Sequence, residues 1–170
     1  PQSLVDWGDL GHQGRTFISG CPTAEEMEVF FGTPVATPVR VYVGLNSADS
    51  PEERAQMALD ELKRVGGFDR SVLLLVTPTG TGWVDSAGQD PVEYLHRGDI
   101  ATVTAQYSYL NSPLALMTQA QYGAEAARAL FQKIYGHWRS LPPESRPRLY
   151  LNGLSLGSHN SDLSFDLYDI

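Results

Sequence analysis

Apolar residues recur along this chain at two spacings, and the spacings divide it into strands and helices. Val39-Arg40-Val41-Tyr42-Val43-Gly44-Leu45 is rich in β-branched residues and predicts a strand. Ser71-Val72-Leu73-Leu74-Leu75-Val76 is a short apolar run bounded by turn residues, as expected of a strand buried on both faces. Ile100 to Tyr107 predicts a third strand and Arg148 to Asn152 a fourth. Between them the period changes to that of a helix. Ser50-Pro51-Glu52-Glu53 is a helix start with proline at the first helical position. Ala55, Ala58, Leu59, Leu62 and Val65 then share one face, and Gly66-Gly67 stops it. A long helix is predicted over roughly Thr118 to Arg139, with Ala120, Ala124, Ala127, Phe131, Ile134 and Trp138 as its inner stripe. Thr23-Ala24-Glu25-Glu26 is a capping box that opens a shorter helix through Phe31, closed by Gly32. Thr77 to Asp90 reads as a loop, Pro91 to His96 as a short helix, and residues 1–17 as an extended lead-in with one buried tryptophan, Trp7.

Strands alternating with helices predict an α/β fold, a mostly parallel sheet with helices on both faces, built from residues 1–170 as one domain. In such sheets ligands bind beyond the carboxyl ends of the strands. Two glycine-rich segments fall at such ends: Thr79-Gly80-Thr81-Gly82-Trp83 after the second strand, and Gly153-Leu154-Ser155-Leu156-Gly157 after the fourth.

Charge and composition narrow the partners. The net charge is -8, from 12 basic and 20 acidic residues, so phosphate backbones are repelled and nucleic acid is excluded as an expected partner. The single cysteine, Cys21, forms no internal disulfide and reads as a small apolar filler. No apolar run approaches the ~20 residues that cross a bilayer, and no signal peptide opens the chain. It starts abruptly at Pro1, as a piece of a longer protein would.

Gly153-x-Ser155-x-Gly157 has the pattern of a nucleophile elbow. There a serine stands at the apex of a strand-to-helix turn, and the following N–H, here that of Leu156, faces a developing oxyanion. A strand precedes the motif, and Ser161 to Tyr168 can form a helix after it. The alternative is a glycine-rich surface turn. A second oxyanion donor should come from the loop after an earlier strand, and chain order assigns Gly80 and Thr81 to it. A dinucleotide fingerprint is disfavoured there, because Asp85 stands where the third glycine belongs and no helix start follows. A plain turn remains open. None of His12, His96, His137 and His159 is paired at metal-ligand spacing, so no metal or cofactor is expected. His159 lies one helical turn beyond Ser155, a poor position for taking its proton. Asp162, Asp166 and Asp169 read as surface acids of the final helix. Trp83, Tyr107, Tyr109 and His159 are candidate pocket residues; core packing is equally open for the tyrosines.

The segments "RVYVGLNSADSPEERAQMALDELKR", "FDRSVLLLVTPTGTGWVDSAGQDPVEYLHRGDIATVTAQYSYL" and "RPRLYLNGLSLGS…SFDLYDI" resemble the bacterial alpha/beta-hydrolase family whose members carry a multi-span membrane region before the hydrolase domain. The resemblance runs from Gly14 to Ile170. It implies an alpha/beta-hydrolase fold with a Ser-Asp-His triad, in which Ser155 matches the nucleophile and Thr79 to Trp83 the oxyanion loop. It also implies that the domain continues past Ile170, so the C-terminal strands bearing the triad acid and histidine are missing here. Asn152 and His159-Asn160 depart from the small or apolar residues expected beside the elbow.

The function implied is that of a serine hydrolase acting on an ester, thioester or related acyl bond, with acyl transfer as a variant. The alternative is a non-catalytic binding or assembly module of a membrane protein. The expected partners are a small-molecule or lipid acyl substrate and a membrane, reached through a region outside this chain on a side the sequence does not specify. A half-built sheet would also expose an edge to a second copy of the chain or to its own missing half.

Overall fold

The computed structural model describes residues 2–110 and 112–166, and the side chains of all of these except 112–120. Six helices and four strands carry the fold among the described residues: α1 (Gly11–Ser19), α2 (Ala24–Phe31), β1 (Val39–Val43), α3 (Pro51–Arg64), β2 (Val72–Thr77), α4 (Ser86–Leu95), β3 (Ile100–Ala105), α5 (Ser112–Ser140), β4 (Arg148–Gly153) and α6 (Leu156–Asp162). The sheet is parallel throughout, in the order β1-β3-β2-β4. The expected α/β architecture, a parallel sheet flanked by helices, is therefore present.

Every residue of β2 and β3 is buried, as expected of central strands covered on both faces, with Thr77, Thr102 and Thr104 buried among the apolar residues. Leu73, Leu75, Ala101 and Val103 face a core shared with Ala58 and Leu62 of α3 and Leu130 and Ile134 of α5. Val72, Leu74, Val76 and Ile100 face the other way, toward Val92 of α4. The alternation along each strand thus puts helices on both faces. β4 stands at the sheet's edge among the described residues, and its burial alternates along the strand.

The helix starts have the predicted chemistry. In α2 the Thr23 hydroxyl accepts from the Glu26 N–H at 3.2 Å and the Glu26 carboxylate accepts from the Thr23 N–H at 2.9 Å. Ser50 and Glu53 make the same reciprocal pair at the start of α3. Each satisfies two N–H groups that a helix otherwise leaves unpaired.

Three expectations for the elements are corrected. Residues 11–19 are helical, not extended, and Trp7 is 53% exposed; Val5, Leu10 and Phe17 are the buried anchors of this segment. The helix expected from Pro91 begins at Ser86, inside the expected loop, because Asp85 caps it by accepting from the Ala87 N–H at 3.1 Å. Its fully buried residues are polar. Gln89 and Glu93 reach Arg40 of β1 and Thr102 of β3, with Glu93 and Arg40 forming an ion pair at 2.7 Å, so an apolar stripe could not reveal the helix. The last helix occupies Leu156–Asp162, starting directly after the turn rather than at Ser161. Tyr168 and Asp169, assigned above to that helix, lie outside the described residues.

Candidate active site

The register places Thr77, the last residue of β2, beside Gly153, the last of β4. The chain then turns through Leu154 and Ser155 and enters α6 at Leu156. Ser155 has φ 57° and ψ −124°, a conformation that a residue with a Cβ adopts at a cost of about 1–3 kcal/mol. Serine at a helix start ordinarily caps it through its hydroxyl. Ser155 makes no such bond, so capping does not explain the residue.

The two glycines around it are required by space. A Cβ on Gly153 would sit 2.4 Å from the Gly157 carbonyl oxygen, and one on Gly157 would sit 2.3 Å from the Thr77 carbonyl oxygen. These neighbours are backbone and have no freedom to rotate away. The contact also docks the first turn of α6 on the end of β2, where the Thr79–Trp83 loop departs. Leu156, the first residue of α6, carries an N–H that the helix itself leaves unpaired.

The loop after β2 is a closed turn. The Gly82 N–H donates to the Thr79 carbonyl at 2.9 Å, and the Thr79 N–H donates to the Trp83 carbonyl at 3.1 Å. Two side chains hold it from below. The Tyr42 hydroxyl donates to the Gly82 carbonyl at 2.8 Å, and Gln106 Nε2 donates to the Thr81 carbonyl at 3.1 Å. Gly82 has φ 86°, and a Cβ there would meet Tyr42 Oη at 2.4 Å. Gly80 is buried and Thr81 half-buried within this turn.

Ser155 is exposed and opens onto a cavity of about 660 Å³ that Asn152, His159, Asp162 and Phe165 also line. His159 therefore shares the cavity with Ser155, and its backbone N–H donates to the Ser155 carbonyl at 3.3 Å. The other three histidines lie elsewhere: His96 follows the end of α4, His137 packs edge-on against Phe68 with ring centroids 4.6 Å apart, and His12 belongs to α1. Among the described residues no group of three His, Cys, Asp or Glu side chains could hold a metal ion.

The remaining candidate pocket residues do not converge on Ser155. Trp83 is 39% exposed and lines neither this cavity nor its neighbour. Tyr107 and Tyr109 line a separate cavity of about 520 Å³ at the carboxyl ends of β1 and β3. Tyr107 is buried, and that burial pushes its phenol up to about 12, opposed by the side-chain amide of Asn160. The amide is close to Tyr107, yet Tyr107 Oη and both polar atoms of Asn160 lack a hydrogen bond of good geometry. Asn160 in turn fills the crossing of α5 and α6, where a Cβ on Gly123 would meet its Nδ2 at 2.2 Å.

The sequence reading passed over two residues. Asp162, read as a surface acid, is exposed but faces the Ser155 cavity. Arg54 lines the second cavity and is 3% exposed. Its signal was its place four residues before Ala58 and eight before Leu62, both fully buried, which puts an arginine on the inward stripe of α3.

A parallel sheet flanked by helices on both faces is consistent with an alpha/beta-hydrolase fold. The chain belongs to the alpha/beta-hydrolase family, whose sequence model matches residues 39–170. No curated protein and no solved structure gives a significant match.

Proposed function

We propose that this domain is a serine hydrolase that cleaves an ester, thioester or related acyl bond, with Ser155 as its nucleophile. The observation that carries the reading is the combination at Ser155 of positive φ, an exposed side chain and no cap bond. The strain has no use to the helix, whereas it holds the hydroxyl out over the cavity.

In this mechanism Ser155 Oγ attacks the acyl carbonyl carbon as a general base removes its proton. The carbonyl oxygen becomes an oxyanion held by the Leu156 N–H and by an N–H of Gly80 or Thr81. Collapse expels the alcohol or thiol, which takes up the proton, and leaves an acyl-serine. Water, or another acceptor in the transfer variant, then releases the acyl group. His159 shares the cavity but belongs to the same short helix, one turn on. The base in this proposal is a histidine outside residues 1–170, paired with an acid. The resemblance also supports attachment to a bacterial membrane through a region outside these residues; among the described residues no helix is long and apolar enough to cross one.

Hydrolysis of p-nitrophenyl esters of increasing acyl length by the full-length protein tests the reading. Turnover abolished in Ser155→Ala, with the far-ultraviolet spectrum unchanged, is the expected result; turnover retained in that variant refutes it. The position of His159 favours one second reading, a hydrolase-like binding module in which Ser155 serves the turn alone. That reading predicts no turnover in either protein.

A further inference from the structure

The second cavity contains a charge without a partner. Arg54 enters it from α3, and its two terminal nitrogens differ in their surroundings. Nη1 donates to the Ala48 carbonyl at 2.8 Å and lies 3.5 Å from the Leu45 carbonyl, so it holds the segment that leaves β1. Nη2 is buried and has no hydrogen-bond partner. A guanidinium stays charged at any physiological pH. Burying it without an anion is expensive, and leaving its donors unused adds to the cost.

The rest of the molecule shows that carboxylates are not scarce. Acidic residues outnumber basic ones by 20 to 12. Buried Arg40 takes both Glu93 and Asp90, and Arg64 takes Glu61. Arg54 is buried and receives no carboxylate among the described residues. Asp49 stands at the cavity rim, exposed, without an ion pair to it.

The same cavity is lined by Tyr107, whose buried hydroxyl lies near the Asn160 side-chain amide without a hydrogen bond of good geometry. A roomy cavity of about 520 Å³, open at the carboxyl end of a parallel sheet, thus has a buried unpaired cation in its wall. That is the place where sheets of this kind bind ligands. We propose that this cavity is a binding site for an oxyanion group, a carboxylate or a phosphate, of a small-molecule ligand, with the Arg54 guanidinium as its charge partner. The site goes beyond the acyl chemistry proposed for Ser155 and does not depend on it. Arg54 supplies the positive charge beside the cavity that no carboxylate of the described residues neutralises.

The test is a titration of ¹⁵N-labelled protein with sodium acetate and, separately, with inorganic phosphate, at ionic strength held constant with sodium chloride. The amides of Ala48, Asp49, Ser108 and Leu110 report on the cavity. Saturable shifts confined to these residues are expected with at least one of the two anions, and the better-binding anion identifies the ligand group. The dissociation constant should rise at least ten-fold in Arg54→Gln. Linear, unsaturated shifts with both anions, or equal saturation in Arg54→Gln, would overturn the proposal. Arg54→Gln also removes the bond to the Ala48 carbonyl. If it fails to fold, Arg54→Lys decides, because it keeps the charge and loses the planar fork. Several-fold weaker binding than the wild type supports the site, and unchanged affinity overturns it. The titration involves no acyl substrate, so its failure is separable from failure of the hydrolase reading.

Discussion

Gly157 and Thr77 approach so closely that a single added methyl on Gly157 would lie 2.3 Å from the Thr77 carbonyl oxygen. One residue belongs to the first turn of α6 and the other ends β2. Their contact ties the turn that carries Ser155 to the strand from which the Thr79–Trp83 loop departs. The two segments proposed to handle the acyl carbonyl are thereby fixed relative to one another by backbone, without help from a side chain. Gly157→Ala should lower stability by about 1–3 kcal/mol through overpacking, and Gly153→Ala should do likewise. Urea denaturation of both variants measures this. A loss below about 0.5 kcal/mol in each would mean that the turn yields easily.

The strain at Ser155 makes a prediction of its own. Glycine adopts positive φ freely, so Ser155→Gly should be more stable than Ser155→Ala by about 1 kcal/mol, although glycine normally costs stability. The comparison uses alanine because both variants lack the hydroxyl. Thermal unfolding of the pair gives the sign directly.

The ion pair of Arg40 with Glu93, both nearly inaccessible, fastens α4 across β1. Glu93→Ala leaves the buried guanidinium with the half-exposed Asp90 as its remaining carboxylate, beside the Phe17 carbonyl, and should cost about 3–5 kcal/mol. The double variant Arg40→Met, Glu93→Leu should recover most of that loss, because two apolar side chains of similar volume leave no buried charge. Equilibrium unfolding of the single and double variants decides.

Glu61 supplies a pH dependence. Its carboxyl is held below the usual range by hydrogen bonding from Arg64, against the effect of burial, with further bonds from the Leu4 N–H and the Ser3 hydroxyl. A folded-state value below the unfolded one means that the stabilisation is full above the unfolded value, about 4.3. It is lost as pH falls through that value toward the folded one. Glu61→Gln should therefore cost about 1.5 kcal/mol at pH 7, and the gap to wild type should close as the pH is lowered past about 4. A gap that stays constant with pH would show that the bonds to Glu61 do not depend on its charge.

The sheet was legible in the sequence because β2 is apolar from Val72 to Val76 and β3 is rich in β-branched residues, and the helices α3 and α5 because their inward positions repeat at helical spacing. Strand order was not, since nothing in a run such as Val72 to Val76 says that β3 inserts between it and β1. Helix α1 escaped because Gly11 and Gly14 read as loop residues. Gly14 is glycine for contact instead: a Cβ there would meet the Tyr42 ring at 2.6 Å. Helix α4 escaped because it buries Gln89 and Glu93 rather than an apolar stripe. At the candidate site the motif around Ser155 was visible, but its neighbours were not. The pocket expected of Trp83, Tyr107, Tyr109 and His159 is divided, with His159 beside Ser155, the two tyrosines in the Arg54 cavity and Trp83 in neither. Those placements depend on which way each loop leaves its strand, information that chain order does not contain.

The central claim is that Ser155 is an activated nucleophile, and covalent labelling tests it most directly. The full-length protein would be treated with a fluorophosphonate, digested, and the adduct located by mass spectrometry, with Ser155→Ala and His159→Asn treated in parallel. The account predicts an adduct on Ser155, absent from Ser155→Ala and undiminished in His159→Asn, because its base lies outside these residues. Labelling lost in His159→Asn would move the base onto α6. The absence of any adduct on Ser155 in the wild type would contradict the account and leave the serine as part of a turn.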